Sequence, residues 1–506
     1  MRSAISSCLF GLLSVGLLSA CPDRTISEVN PEQGRVEFKD IPVNLNRNVD
    51  ILFVVDDSGS MADKQQNLKD NFPNFINVLN TIQGGLPDIH VGVVSSDMGT
   101  KADGVATPGP GVGGIGSGGC GNTGKDGKLL LGQATGITGT FISDIKLPDG
   151  TRQDNYGGGG TSAGLAQKFG QMASIGATGC GFEQHLHAMH RALDNNPANP
   201  GFIRQDAFLA VIFLADEDDC SMADTALLGP DGGPLGPQQS FRCTRFGVTC
   251  DVGGATDGAM NQIGIKDQCH PNDASTLVKK VQDYVTFLKT LKDDDSKVIV
   301  AGILGTNDPF EVELRPPNAG GTPIPALAHS CIYEGPDGVL SNPPGTGDDQ
   351  VADPPVRLSF FLSQFPNRST QTTICQQDLS GGLQLIGELL KAAIGNPCIT
   401  GNLAVPFDCT VSYVNNFGDA NQTETVLPPC QGTGDAATNQ PCWEIIVDGA
   451  QCPGGNNQIL KVNDPASPPQ DTHIIANCVT TACIGAPNGV CDTGENQAGC
   501  PEDCRP

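Results

Sequence analysis

The stretch Ile51-Leu52-Phe53-Val54-Val55-Asp56-Asp57-Ser58-Gly59-Ser60 carries an apolar run straight into an acidic, hydroxyl-rich turn. A short continuous apolar run that ends at turn residues reads as a strand buried on both faces, the kind found inside parallel sheets. Much later, Leu209 to Leu214 repeats the pattern and runs into Ala215-Asp216-Glu217-Asp218-Asp219. Side by side, two such strands bring Asp56, Ser58, Ser60 and Asp216 to one point. Hydroxyls and carboxylates are the ligands that hard divalent cations such as Mg2+ take in near-octahedral array, with exchangeable waters completing the shell. The turn also has a plainer use, because Asp and Ser ahead of a helix cap its free amides without any metal. The distant acidic strand end favours the metal.

Outward from this turn the periodicity alternates between strand and helix. Leu68, Phe72, Phe75, Ile76, Leu79 and Ile82 fall at helical spacing, with a kink expected at Pro73, and Ile89 to Val94 follows as a strand. Further helices are expected over 162–173 and 182–193, the latter with Leu186, Met189 and Leu193 on one face. Leu277, Val281, Tyr284, Val285, Leu288 and Leu291 make the clearest amphipathic pattern and feed a strand from Val298 to Ala301. A closing helix carries Leu383, Ile386, Leu389, Leu390 and Ala393. This order predicts an α/β domain over 45–397 built on a doubly wound, mostly parallel sheet. Gly/Pro-rich insertions are expected at about 98–160, 221–275 and 307–355. In the first, twelve glycines between Gly99 and Gly127 leave no room for a packed element of any length.

Beyond Cys398 the texture changes to short alternating runs, such as Trp443 to Val447 and Ile459 to Val462, separated by Gly, Pro and Asn. This predicts a small disulfide-tied β module over 398–480. The last segment, 481–506, is cysteine-rich and acidic. It resembles short NGxCxxGE…CPxDC repeats of secreted bacterial proteins, and Asp492, Glu495 and Asp503 there offer oxygens for Ca2+. A disulfide knot with solvated acids explains the same residues.

The N-terminus gives an address. Arg2, an apolar run from Leu9 to Leu18, and Leu18-Ser19-Ala20-Cys21 resemble a bacterial lipoprotein signal, with residues 1–20 removed and Cys21 lipidated. An ordinary cleavable signal ending near Ala20 is the alternative. Residues 21–44 then form a tether with a strand at Val36-Glu37-Phe38, and Pro22 after the lipidated cysteine favours the outer membrane by its likeness to known sorting rules. The apolar run is too short for a membrane span. A net charge of −27 repels nucleic acid and anionic lipid, which excludes both as main partners. Glycine and proline, 65 and 37 residues, together stay below the roughly 25–30% that marks wholesale disorder. Of 20 cysteines, those outside the signal and lipobox leave an even number and no CxxC pair. In an exported chain that points to disulfides rather than zinc.

The DxSxS turn, the apolar strand before it and the second acidic strand end together resemble a von Willebrand factor type A domain and its metal-ion-dependent adhesion site. The resemblance implies that Ser58, Ser60 and a threonine coordinate the metal directly, with Asp56 and Asp216 acting directly or through water. Thr178 is the candidate threonine, although counting back from Leu186 reaches Cys180 instead; Thr161 is the fallback. Asp97, at a third strand end, supports the site or caps a loop. Cys180 and Cys220 occupy the two loops expected to flank the metal, so a bridge between them is a specific expectation. The function implied is a membrane-anchored, divalent-cation-dependent protein-binding module of the cell envelope. Its bound Mg2+, with Mn2+ or Ca2+ as substitutes, is completed by an Asp or Glu of a protein partner. The rival is a structural or envelope-assembly lipoprotein with a vestigial site. Catalysis is not expected: GxSxG, Walker and dinucleotide motifs are missing. Glu183, His187 and His190 share a helical face at i, i+4 and i+7, a transition-metal geometry without HExxH that a polar helix face explains equally.

Overall fold

The computed structural model describes residues 35–480, interrupted at 43–46, 83–84, 114–118, 148, 293–294, 317–320, 343, 346–348, 396–397, 400–402, 404–405, 417–420, 448–456 and 466–471. Cys21 and the segment holding Asp492, Glu495 and Asp503 lie outside the described residues.

Seven strands form the central sheet, in the order Ser369–Thr373, Val298–Leu304, Phe208–Leu214, Asn48–Val55, Asp88–Ser95, Ile142–Lys146, Arg152–Asp154. The first five run parallel, and the last two are joined by antiparallel pairings, so the class is α/β with a mixed sheet. Alternation along each strand divides the core. Ile51, Phe53 and Val55 face the helices Ala62–Asn80, Ser162–Ala173 and Ser380–Ile394, whereas Leu52 and Val54 face His185–Leu193, Val281–Thr290 and Val356–Ser363. Full burial of each such side chain contributes roughly 1.5–3 kcal/mol. The expected kink at Pro73 does not end the helix, which runs through it.

The insertions carry sheet structure of their own. Within 98–160, Ile142–Lys146 and Arg152–Asp154 extend the central sheet. The second and third insertions also fold together, as an antiparallel sheet in the order Ile324–Leu327, Phe310–Arg315, Gly264–Pro271, Val248–Val252, around a small core of Val248, Phe310 and Val312. Each insertion contributes an antiparallel pair of neighbouring strands, and the pairing that joins them, Phe310–Arg315 with Gly264–Pro271, is remote in sequence and announced by no local pattern.

The strand Arg35–Pro42 is placed differently from the expectation of a lead-in to the α/β domain. It pairs antiparallel with Thr472–Thr480, which also pairs with Cys409–Asn415, so the first described segment completes a C-terminal sheet. A three-stranded sheet of Cys398–Ile399, Gln458–Asn463 and Cys442–Val447 shares that core through Trp443 and Leu460. Cys409–Cys478 and Cys430–Cys442 tie the module. Among the described residues, no helix is long and apolar enough to cross a membrane.

The Cys180–Cys220 bridge is not formed. Cys180 pairs with Cys120 and Cys220 with Cys243, and further bridges join Cys250 to Cys269 and Cys331 to Cys375. Each loop beside the turn is therefore pinned to an insertion rather than to the other loop. The two disulfides share an apolar cluster with Phe182 and Phe246.

Candidate metal and ligand site

The parallel sheet sets Asn48–Val55 beside Phe208–Leu214, with Val55 opposite Leu214, so both chains leave the sheet at one edge. Asp56 N–H still donates to Leu214 O at 2.9 Å. The turn then closes on itself: Ser58 N–H donates to Asp56 Oδ1 at 2.8 Å, and the Ser58 and Ser60 hydroxyls lie 3.2 Å apart. Gln65, in the following helix, donates from Nε2 to Asp56 O at 3.0 Å and to Gly176 O at 2.8 Å, joining the turn to the 174–180 loop. That loop comes close enough for Gly179 N–H to donate to Asp57 O at 2.7 Å, and a Cβ at Gly179 would collide with Asp57.

The structure therefore brings Asp56, Ser58, Ser60 and Asp216 together, while Thr178 lies on the abutting loop with its side chain exposed. Thr161 is not a ligand candidate, because its hydroxyl caps the Ser162–Ala173 helix by accepting from Gly164 N–H at 3.1 Å. Asp97 caps a loop, accepting from Gly99 N–H at 2.8 Å. Asp57 is spent on structure, taking the Ser95 hydroxyl at 2.7 Å and the Lys125 ammonium.

The acidic run after the second strand divides by role. Asp218 accepts from the backbone N–H groups of Arg357 and Leu358, capping the Val356–Ser363 helix, and burial pushes its carboxyl up to about 6. Asp219 pairs with buried Arg357 at 2.9 Å and accepts from Leu186 N–H. Asp216 remains for the turn, and Glu217 lines the cavity beside it.

Unsatisfied oxygens single out this corner. Asp56 Oδ2 and Asp216 Oδ1 are buried without a hydrogen-bond partner, a state that costs about 1–3 kcal/mol or more for each such atom. Two orphaned carboxylate oxygens beside two hydroxyls fit a hard dication with waters in its remaining positions. Burial, then the Asp56 charge, holds the Asp216 carboxyl above its usual range, against the opposing pull of Lys64.

Several groups here carried no signal in the DxSxS spacing. Lys64 is almost fully buried, and its ammonium lies 2.9 Å from Asp216 Oδ2 and donates to Ser60 O at 3.2 Å. It sits in the first turn of its helix, where the macrodipole disfavours a cation, so the carboxylates must hold it there. His185 is buried with both ring nitrogens unpartnered, 3.8 Å from Asp56 Oδ2. Glu183 does not stay with His187 and His190. The helix begins at His185, which leaves Glu183 in the preceding turn, lining the site, whereas both histidines face Asp103 at 3.7 Å and 3.1 Å. Burial, followed by the charges of Glu217, Asp56 and Asp216, drives the Glu183 carboxyl well above its usual range.

The site opens into a cavity of about 340 Å3, bounded by Ser58, Ser60, Glu183 and Glu217 on the sheet side and by Phe241, Arg315 and Leu327 of the insertions on the other. Asp353 lies on its wall, bonded to His329 at 2.8 Å. The insertion sheet is thus the outer wall of the site.

No protein-family model matches the chain, and neither does any curated protein sequence. Among solved structures it is similar to the pilus adhesin SpaC of Lactobacillus rhamnosus GG (TM-score 0.29, 11% identity, 90% of this chain and 44% of that one). It is also similar to the pilus adhesin RrgA of Streptococcus pneumoniae (TM-score 0.26, 10% identity, 88% and 58%) and to the adhesive tip pilin GBS104 of Group B Streptococcus agalactiae (TM-score 0.27, 10% identity, 90% and 84%). The chain spans less than two thirds of the first two, and likenesses at these scores carry no argument about fold or function.

Proposed function

We propose that the chain is a lipid-anchored protein-binding module of the bacterial envelope, with a domain of the von Willebrand factor A type and a divalent-cation site at Asp56, Ser58, Ser60 and Asp216. One observation carries this reading: the orphaned Asp56 Oδ2 and Asp216 Oδ1 sit buried beside two hydroxyls at one edge of a parallel sheet. Helices on both faces of that sheet, and the turn leaving the carboxyl end of a central strand, support the domain type. The bound dication supplies an electrophilic position that a partner's Asp or Glu can fill. The protein's own residues do the rest. Asp56 Oδ1 holds the turn through Ser58 N–H, Gln65 fixes the turn to its neighbouring loop, and the insertions wall one side of the approach. A dication set in a surface of charge −27 selects carboxylates that the background alone would repel. The lipobox at Cys21 supports attachment to the outer membrane.

The rival, an envelope-assembly protein with a vestigial site, is favoured by the Lys64 ammonium seated on Asp216, which supplies one positive charge without metal. Titration calorimetry with Mg2+ and Mn2+ on the full chain separates the two. The metal-dependent reading expects saturable binding that Asp56→Ala abolishes, and no heat of binding to the unaltered chain leaves the rival standing.

A further inference from the structure

Glu183 and Glu217 have no use in the reading above. Glu183 is 2% exposed and lines the cavity, and although its backbone carbonyl accepts from Cys220 N–H at 2.7 Å, its carboxylate accepts no hydrogen bond from another described residue. Glu217 lines the same wall. Glu217 is half-buried and feels the Arg315 charge across the cavity, whereas a buried carboxylate such as Glu183 without a partner is costly and calls for a cation. The two cations nearest in the fold are already engaged: Lys64 holds Asp216 and Ser60 O, while Arg315 donates to Glu313 at 3.0 Å and to Leu327 O at 2.5 Å.

We propose that this cavity is a subsite for a cationic side chain of the partner, a guanidinium or an ammonium, bound by Glu183 and Glu217 next to the metal turn. Among the described residues no three His, Cys, Asp or Glu groups converge closely enough to hold a metal ion. A second point cation would therefore leave most of the acidic wall unmet. An extended cation with several donors spans separated carboxylates, as a guanidinium fork does. Phe241 and Leu327 on the opposite wall suit its apolar stem. The partner would then present a basic group to the acidic wall and a carboxylate to the turn. The metal-dependent reading enters only in that second contact.

Agmatine, which carries a guanidinium and an ammonium on one four-carbon stem, and n-butylurea, its uncharged isostere without the ammonium, test the subsite by calorimetry on the full chain in EDTA. Agmatine is expected to bind at least about tenfold more tightly than the isostere. E183Q/E217Q should lose that preference, a control D149N/D337N pair at exposed acids should keep it, and a thermal melt reports whether each variant is folded. Asp56→Ala should retain agmatine while losing Mg2+, so a chain that takes agmatine but no Mg2+ keeps the subsite and overturns the metal reading. Equal affinity for the two compounds refutes the proposal on the unaltered chain alone, whatever the variants do. Refutation also follows if Mg2+ displaces agmatine one for one and E183Q/E217Q no longer binds Mg2+, because the acids are then metal ligands.

Discussion

Asp50 and Asp56 stand at opposite ends of one strand, both fully buried, and their surroundings could hardly differ more. Asp50 is closed. Its oxygens accept from Arg204 N–H at 2.7 Å and Arg204 Nε at 2.8 Å, with Lys292 at 3.8 Å and His90 at 3.6 Å. Asp56 is open, with one oxygen orphaned beside another orphan on Asp216. Burial of a carboxylate therefore says little about its role until its partners are counted. A carboxylate whose cations are fixed in the fold is structure, and one whose cation must come from outside is a site.

The sharpest way to break this contrast is to remove the closed member. Asp50→Ala leaves Arg204 and Lys292 without their buried counter-charge, which is expected to cost about 3–5 kcal/mol. Urea denaturation should show that loss equally with and without Mg2+. A loss that Mg2+ restores would mean that the two ends of the strand are not separate in role.

His187 belongs with the closed groups, and pH tests that. Burial, opposed by the charge of Asp103, lowers its imidazole to about 4 from an ordinary 6.5. The unfolded chain takes up a proton that the folded one refuses between these values, so stability is full above pH 6.5 and falls as pH drops toward 4. The loss amounts to roughly 3 kcal/mol and levels off below that point. His187→Gln should remove this component of the stability–pH curve. If the component survives, another buried group carries it.

The open end predicts a gain rather than a loss. At free Mg2+ about 100 times Kd, a ligand bound only by the folded state adds about 2.7 kcal/mol. That shift in unfolding midpoint should vanish in Asp56→Ala, whatever the loss of the Ser58 N–H acceptor does to the metal-free midpoint. A shift of equal size in both proteins would place the metal elsewhere.

What the sequence made legible follows the same division. The buried strands and the amphipathic helices were readable because each is a local pattern, and helix 162–173 appears with the expected bounds. Asp56, Ser58 and Ser60 were readable because one turn holds them. Partners that meet only through tertiary folding were not. The pairing of Cys180 with Cys120 depends on the course of a glycine-rich loop, and the pairing of Phe310–Arg315 with Gly264–Pro271 joins two insertions across an intervening helix and strand. Glu183 shares helical spacing with His187 and His190 in the sequence, but the helix starts only at His185, so the spacing does not predict its neighbours. Lys64 lay one helical turn beyond Ser60, a signal available in the sequence but silent until Asp216 was brought beside it.

Lys64 is what keeps the open end from being wholly open, and its removal is the finest test of the contrast. Its ammonium neutralises one carboxylate oxygen of Asp216 while the other oxygen and Asp56 Oδ2 remain orphaned. A fixed positive charge this close must oppose an incoming dication, since like charges a few ångströms apart repel by about 1 kcal/mol even in bulk water and by more in a buried site. Lys64→Met keeps the length of the stem and removes only the charge. Mg2+ affinity is therefore expected to rise about tenfold, equivalent to about 1.4 kcal/mol, while the metal-free protein becomes less stable because Asp216 loses its only fixed cation among the described residues. Calorimetric titration gives the first number and metal-free urea unfolding the second. A fall in Mg2+ affinity would instead make Lys64 a positioning residue for the turn, and the site would then resemble the closed end of the strand more than its geometry suggests.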